Sequence, residues 1–173
     1  CDVAFLLLTF FMLATKFKPQ EPVAVRTPAS VSTDQIPEGF MLITLDKNGR
    51  VFFGVDNLNA KNDIINAVNT DKNLGLDQNQ INAFINGSSF GVPISQLKAY
   101  LSVSPAEQAE LDKKASGIPT DTTNNPSNEL AYWISASRPY LEGGGRFAIK
   151  ADGEAGYPMI HKVIQTLGNL QIF

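Results

Sequence analysis

Apolar and polar positions divide this chain into three regimes. Val3 to Thr15 (VAFLLLTFFMLAT) is unbroken and apolar, stops at Lys16, and is preceded by a single acid, Asp2. Lys16 to Gly39 (KFKPQEPVAVRTPASVSTDQIPEG) carries four prolines and few bulky apolar residues, the composition of an extended linker. From Phe40 onward the apolar residues return in short periodic groups, as expected of a folded domain.

Within that domain the periods predict a succession of short elements. Phe40 to Val55 (FMLITLDKNGRVFFGV) holds two apolar runs around Asp46-Lys47-Asn48-Gly49, and Asn-Gly is a strong hairpin signal. Between Ala60 and Gly87, Ile64, Ile65 and Val68 mark one helix and Ile81, Phe84 and Ile85 another. Asp77 and Gln80 form a capping box for the second. Pro93 to Leu101 predicts a further helix, and Ser104-Pro105-Ala106-Glu107 opens the next with proline at its first position. Asp121 to Asn128 reads as a polar loop before a helix over Glu129 to Leu141, faced by Leu130, Trp133, Ile134 and Ser137 and ended by Gly143 to Gly145. The chain is expected to close as strand, helix, strand: Arg146 to Lys150, a turn at Asp152-Gly153, Pro158 to Gly168, and Leu170 to Phe173. The fold class is therefore α+β, with an N-terminal transmembrane helix, a proline-rich linker, and a small mixed α/β domain carrying a helical insertion.

Composition narrows the function classes. A net charge of -3 without a basic cluster argues against a nucleic-acid partner. One cysteine, Cys1, precludes an intrachain disulfide framework, and neither a metal site nor a cofactor is expected. His161, the one histidine, lies beside Lys162 on the last helix and reads as a solvated surface residue. Asp152 fits a turn better than acid-base work, and Gly143 to Gly145 lacks the helix and Lys-Ser/Thr of a phosphate loop. Tyr132 and Trp133 read as boundary and core. No constellation signals an enzyme.

Asp2 is the candidate with chemistry. An ionised carboxylate in hydrocarbon costs several kcal/mol, so an acid inside a membrane helix is a functional hypothesis. The 13 apolar residues after it rise about 20 Å, short of a ~30 Å hydrocarbon core, so residues before Cys1 are expected to complete the span. If Lys16 and Lys18 mark the outer interface, Asp2 lies about 21 Å below them. Asp2, Leu6, Thr9, Leu13 and Lys16 share one helical face, because seven residues return to within ~20° of the start. Thr9 is thus the second polar member of the stripe, some 10 Å from Asp2 along the axis, unless its hydroxyl is taken by the Phe5 carbonyl. Other readings of the segment remain open: a signal-peptide core, a lipoprotein start at Cys1, or Asp2 as an interfacial helix cap. A lone helix carrying an acid also needs other helices around it.

DVAFLLLTFFMLAT resembles the membrane helix of ExbD/TolR proteins, where an aspartate opens the apolar stretch. FMLITLDKNGRVFF resembles the first hairpin of the family's periplasmic domain, and RFAIKADGEAGYPMIHKVIQTLGNLQIF its closing unit. The resemblance implies a proton-driven motor subunit of the bacterial inner membrane, single-pass, with its C-terminal domain in the periplasm. It implies two copies of the helix inside an ExbB/TolQ-like pentamer and force passed to a TonB-like or TolA-like periplasmic protein. Asp2 would be the proton-carrying residue and Thr9 a possible pore-face neighbour. The expected division is a membrane helix over 1–17, a linker over 18–39 and a periplasmic domain over 40–173, with an insertion at about 57–142. The alternative is a TolR-like or stator-like tethered structural protein that binds the cell wall.

Overall fold

The computed structural model of the chain describes residues 2–14, 21–26, 39–123 and 125–171. An N-terminal helix, α1 (Asp2–Ala14), is followed by β1 (Phe40–Leu45) and β2 (Val51–Val55). Five helices come next: α2 (Leu58–Asp71), α3 (Gln78–Asn86), α4 (Ile94–Leu101), α5 (Pro105–Lys114) and α6 (Glu129–Ser137). Two 3-10 turns then lead to β3 (Arg146–Ala151) and α7 (Tyr157–Asn169). The result is a mixed α/β fold with a three-stranded sheet in the order β2-β1-β3.

The hairpin forms where the Asn-Gly signal places it. β1 pairs antiparallel with β2, Leu45 opposite Val51, and Gly49 takes the left-handed φ of +74° that the turn requires. Asp46 organises the turn: its Oδ1 accepts the backbone N–H groups of Asn48 (2.9 Å) and Arg50 (2.8 Å). β3 then joins β1 in parallel, with Ile43 opposite Ile149. A parallel pair needs a crossover, and here α2 to α6 supply it.

Alternation along the strands sends Met41, Ile43 and Leu45 of β1 into the core. They meet Ile64, Ile65 and Val68 of α2, Leu130, Trp133 and Ile134 of α6, and Val163 and Leu167 of α7 in one continuous cluster. Trp133, fully buried, is its centre, with ring centroids 4.8 Å from Phe90, 5.9 Å from Phe84 and 6.3 Å from Phe53. Residues 57–142 therefore share their apolar core with the sheet. β2, although an edge strand, is buried on both faces. Its edge is covered by a two-way backbone bridge between Phe53 and Phe90 and by Ile118 N–H donating to the Val51 carbonyl.

Arg50 ties the hairpin to the end of α5. Its guanidinium holds the buried Asp46 carboxylate (Nε to Oδ2 2.7 Å), while Nη1 donates to the carbonyls of Asp112, Lys113 and Ala115 at 2.8 to 3.1 Å. Those are carbonyls that a helix C-terminus leaves without intrahelical partners.

The structure corrects two expected boundaries. The helix expected over Glu129 to Leu141 ends at Ser137, because Pro139 has no N–H to continue the ladder, and 3-10 turns follow. The returning strand expected at Leu170 to Phe173 is not begun: Leu170 N–H bonds back to Thr166, and Gln171, at φ +54°, bonds to Gly168. Residues 172 and 173 lie outside the described residues, as do 15–20 and 27–38, which hold the end of the expected membrane helix and most of the expected linker. Of the linker, residues 21–26 cross the outer face of the sheet, where Pro22 and Val23 share a hollow with Phe40, Leu42, Thr44 and Phe52.

Candidate functional site

Two places concentrate features that folding alone does not explain. The first is α1. Its large apolar side chains stand 57 to 87% exposed, from Leu7 to Leu13, with no polar face to turn toward water. Monomeric proteins rarely leave so continuous an apolar surface open. Its 13 residues rise about 20 Å, and no helix among the described residues is long and apolar enough to cross a membrane.

Asp2 stands in the first turn of α1, exposed. Thr9 is half-buried, and its hydroxyl donates to the carbonyls of Phe5 (2.6 Å) and Leu6 (3.1 Å). That back-bond is the habit of hydroxyls in apolar helices, and it uses up the one proton Thr9 can donate. The two residues share a face but stand about 10 Å apart along the axis, so the helix does not bring them into contact.

The second place is a cavity of about 480 Å³ walled by Phe53, Phe84 and Phe90 on one side and by α5 on the other. α5 presents Pro105, Gln108, Ala109 and Asp112 to it, a stripe at helical spacing, while Leu111 on another face is left 43% exposed. Asp112 is 2% exposed; its Oδ2 accepts the Tyr100 hydroxyl at 3.0 Å, and its Oδ1 has no hydrogen-bond partner. Burial pushes the Asp112 carboxyl up to about 6, against the opposing pull of the Tyr100 bond and of Arg50, and raises the Tyr100 phenol above its usual range. Lys61 also reaches this cavity, but its ammonium is occupied by the carbonyls of Gly87 (2.5 Å) and Ile85 (3.3 Å). Burial lowers the Lys61 pKa, with Asp56 opposing. Glu21 and Pro22 of the linker segment border the same space.

Asp152, read as a turn residue, is also a clasp. Its Oδ1 accepts the N–H of Glu154 and its Oδ2 that of Arg26, while Gly153 N–H donates to the Arg26 carbonyl. The two backbone donors, Glu154 first, hold its carboxyl below the usual range. Glu21 pairs with Lys150 at 2.5 Å, so the linker segment is fastened to β3 and its following turn. His161 is exposed, with its ring 5.8 Å from Tyr157. Tyr132 is a boundary residue whose hydroxyl donates to Asp71. Among the described residues no group of three or more His, Cys, Asp or Glu could hold a metal ion.

Sequence patterning singled out α1 and missed the cavity. Asp112 sits in PAEQAELDKK, where a charged residue reads as solvated. The signal that could have found it is the small and polar stripe at 105, 108, 109 and 112, which leaves no room for the usual apolar face.

Among known families, the model described as "Biopolymer transport protein ExbD/TolR" matches residues 1–172. No curated protein and no solved structure matches the chain.

Proposed function

This chain belongs to the ExbD/TolR family, and from that premise we propose that it is the proton-carrying subunit of an inner-membrane motor that energises transport. Membership gives the general role, energising of biopolymer transport beside membrane partners of the ExbB/TolQ kind. The proposal adds the parts. α1 sits inside a pentamer of such partners, two copies of the chain share one pore, and the domain of residues 40–173 passes force to a TonB-like or TolA-like periplasmic protein. The linker spans residues 18–39, α2 to α6 are an addition to the family's core, and the role is not catalytic.

The observation that carries this reading is α1 itself: a helix with apolar residues exposed on all sides and one carboxylate in its first turn. Such a helix gains from insertion everywhere except at Asp2. Placed against polar groups of a surrounding ring, the carboxylate has a partner when charged and is released when protonated. Each proton moved through ~100 mV supplies about 2.3 kcal/mol, enough to bias a two-state helix orientation some fiftyfold. Thr9 faces the same side, its hydroxyl oxygen left as an acceptor.

The test replaces Asp2 by Asn in the full-length protein in cells. Energised uptake is lost while copurification with the membrane partners persists. Normal uptake in Asp2→Asn overturns the proposal.

A further inference from the structure

The cavity beside β2 belongs to none of the parts that the motor reading uses. It is lined by β2, α3, α4 and α5, by the 86–90 segment, and by Lys61 of α2. Its size, about 480 Å³, falls in the range of small-molecule sites, and such sites pair an apolar wall with a few placed polar groups. Phe84, Phe90, Leu101 and Val103 supply the apolar wall.

The charges around it are unevenly matched. Glu21, at the border, already accepts a hydrogen bond from Lys150. Asp112 has nothing to offer a ligand, because its Oδ2 takes the Tyr100 hydroxyl and its Oδ1 is sealed within the protein. Lys61 is the exception. It is only 7% exposed, and among the described residues it makes no ion pair; Asp56 favours its charge without touching it. Of its three N–H groups, two go to the carbonyls of Ile85 and Gly87, and one is left. A buried ammonium held only by carbonyl dipoles lacks the counter-charge that would offset its desolvation, and burial draws its pKa down.

We propose that this cavity binds a small amphipathic carboxylate: one ionised carboxyl group on an apolar body, with the carboxylate paired to Lys61 and the body against Phe84, Phe90 and Leu101. One positive charge with one N–H to give suits a single carboxylate, and such a charge-assisted bond is about twice as strong as a neutral one. An amine would meet an ammonium and no available carboxylate. A neutral apolar ligand would fill the space and leave Lys61 without its counter-charge. A phosphate would bring a second negative charge, for which the lining holds no second cation. Lys61 also lines the hollow that Pro22 and Val23 share with the sheet, so the carboxylate sits where the cavity meets the segment that follows α1 in the chain.

The test uses the full chain in nanodiscs of zwitterionic lipid, with empty discs as the blank, and three probes of one shape: 4-phenylbutyrate, the neutral 4-phenylbutanol and 4-phenylbutylamine. Trp133, the chain's one tryptophan, adjoins Phe84 and Phe90, so its fluorescence reports occupancy, and calorimetry gives the stoichiometry. The carboxylate binds one to one, at least tenfold tighter than the alcohol, and the amine does not bind. Lys61→Met keeps the apolar stem, removes the charge and brings the carboxylate down to the affinity of the alcohol. Ala109→Phe fills the cavity from α5, leaves Lys61 in place and abolishes binding of both. Equal affinity for carboxylate and alcohol, unchanged carboxylate affinity in Lys61→Met or in Ala109→Phe, or no saturable binding overturns the proposal. The probe comparison on the unmodified chain decides the matter even if a variant fails to fold.

Discussion

Replacing Arg50 by alanine should unfasten the helical crossover from the sheet. The guanidinium makes two contacts to Asp46 Oδ2 (2.7 and 2.6 Å) and three, through a single nitrogen, to the carbonyls that end α5. Asp46 has only 3% of its side chain exposed, so Arg50→Ala leaves a buried carboxylate without its counter-charge. Breaking one side of such a pair costs about 3–5 kcal/mol. Two backbone N–H groups still serve Asp46 Oδ1, which places the expected loss near the lower bound, about 3 kcal/mol. Arg50→Lys keeps the charge but cannot serve Asp46 and three carbonyls at once, and should lose roughly half as much. Urea titration of the full chain in detergent, followed by Trp133 fluorescence, measures both. The double variant Asp46→Asn/Arg50→Ala should lose less than the sum of the single changes by more than about 1 kcal/mol. A loss below about 1 kcal/mol for Arg50→Ala, or additive single changes, would refute the account of Arg50 as the tie.

Other expectations follow from the same geometry. Asp112, held near pH 6 in the folded chain and near its ordinary value when unfolded, keeps its proton in the native state between about pH 4 and 6. Its contribution to stability is therefore greatest below pH 4 and is lost as pH rises to 6. After allowance for solvent screening the change is about 1.5 kcal/mol, read as the difference between the unmodified chain and Asp112→Asn in urea titrations across that range. A Cβ added at Gly91 would stand 2.3 Å from the Phe52 ring, so Gly91→Ala should cost about 1–3 kcal/mol in the same titration. Ser104→Ala removes a capping box at the start of α5 and should cost about 1 kcal/mol, with little change in the circular dichroism of the folded state.

What was legible in the sequence was local. The capping boxes at Asp77/Gln80 and Ser104/Glu107 and the Asn-Gly turn are settled within a few residues, and both boxes form with their reciprocal bonds. The boundaries that shifted were also local in cause, Pro139 ending α6 early and the left-handed Gln171 turning the chain after α7. The parallel pairing of β1 with β3 was not legible, because the strands are a hundred residues apart and their alternation is the same for either direction. Arg50 was equally hidden: its partners at 112, 113 and 115 are backbone carbonyls, which no side-chain pattern encodes.

The two candidate sites differ in legibility for one physical reason. Asp2 breaks a rule that sequence displays directly, a charge at the head of an apolar run, so hydropathy alone finds it. Asp112 breaks the complementary rule, a charge buried in a soluble domain, and burial is a property of tertiary packing. On α5 the packing inverts hydropathy, turning Asp112 inward and Leu111 outward, because the inward stripe of Pro105, Gln108, Ala109 and Asp112 is fixed by Arg50 at one end and by the Ser104 cap at the other. A helix placed for its own apolar gain would have buried Leu111 and closed the cavity. That it is held in the opposite sense is the reason the space exists and Asp112 is buried beside it.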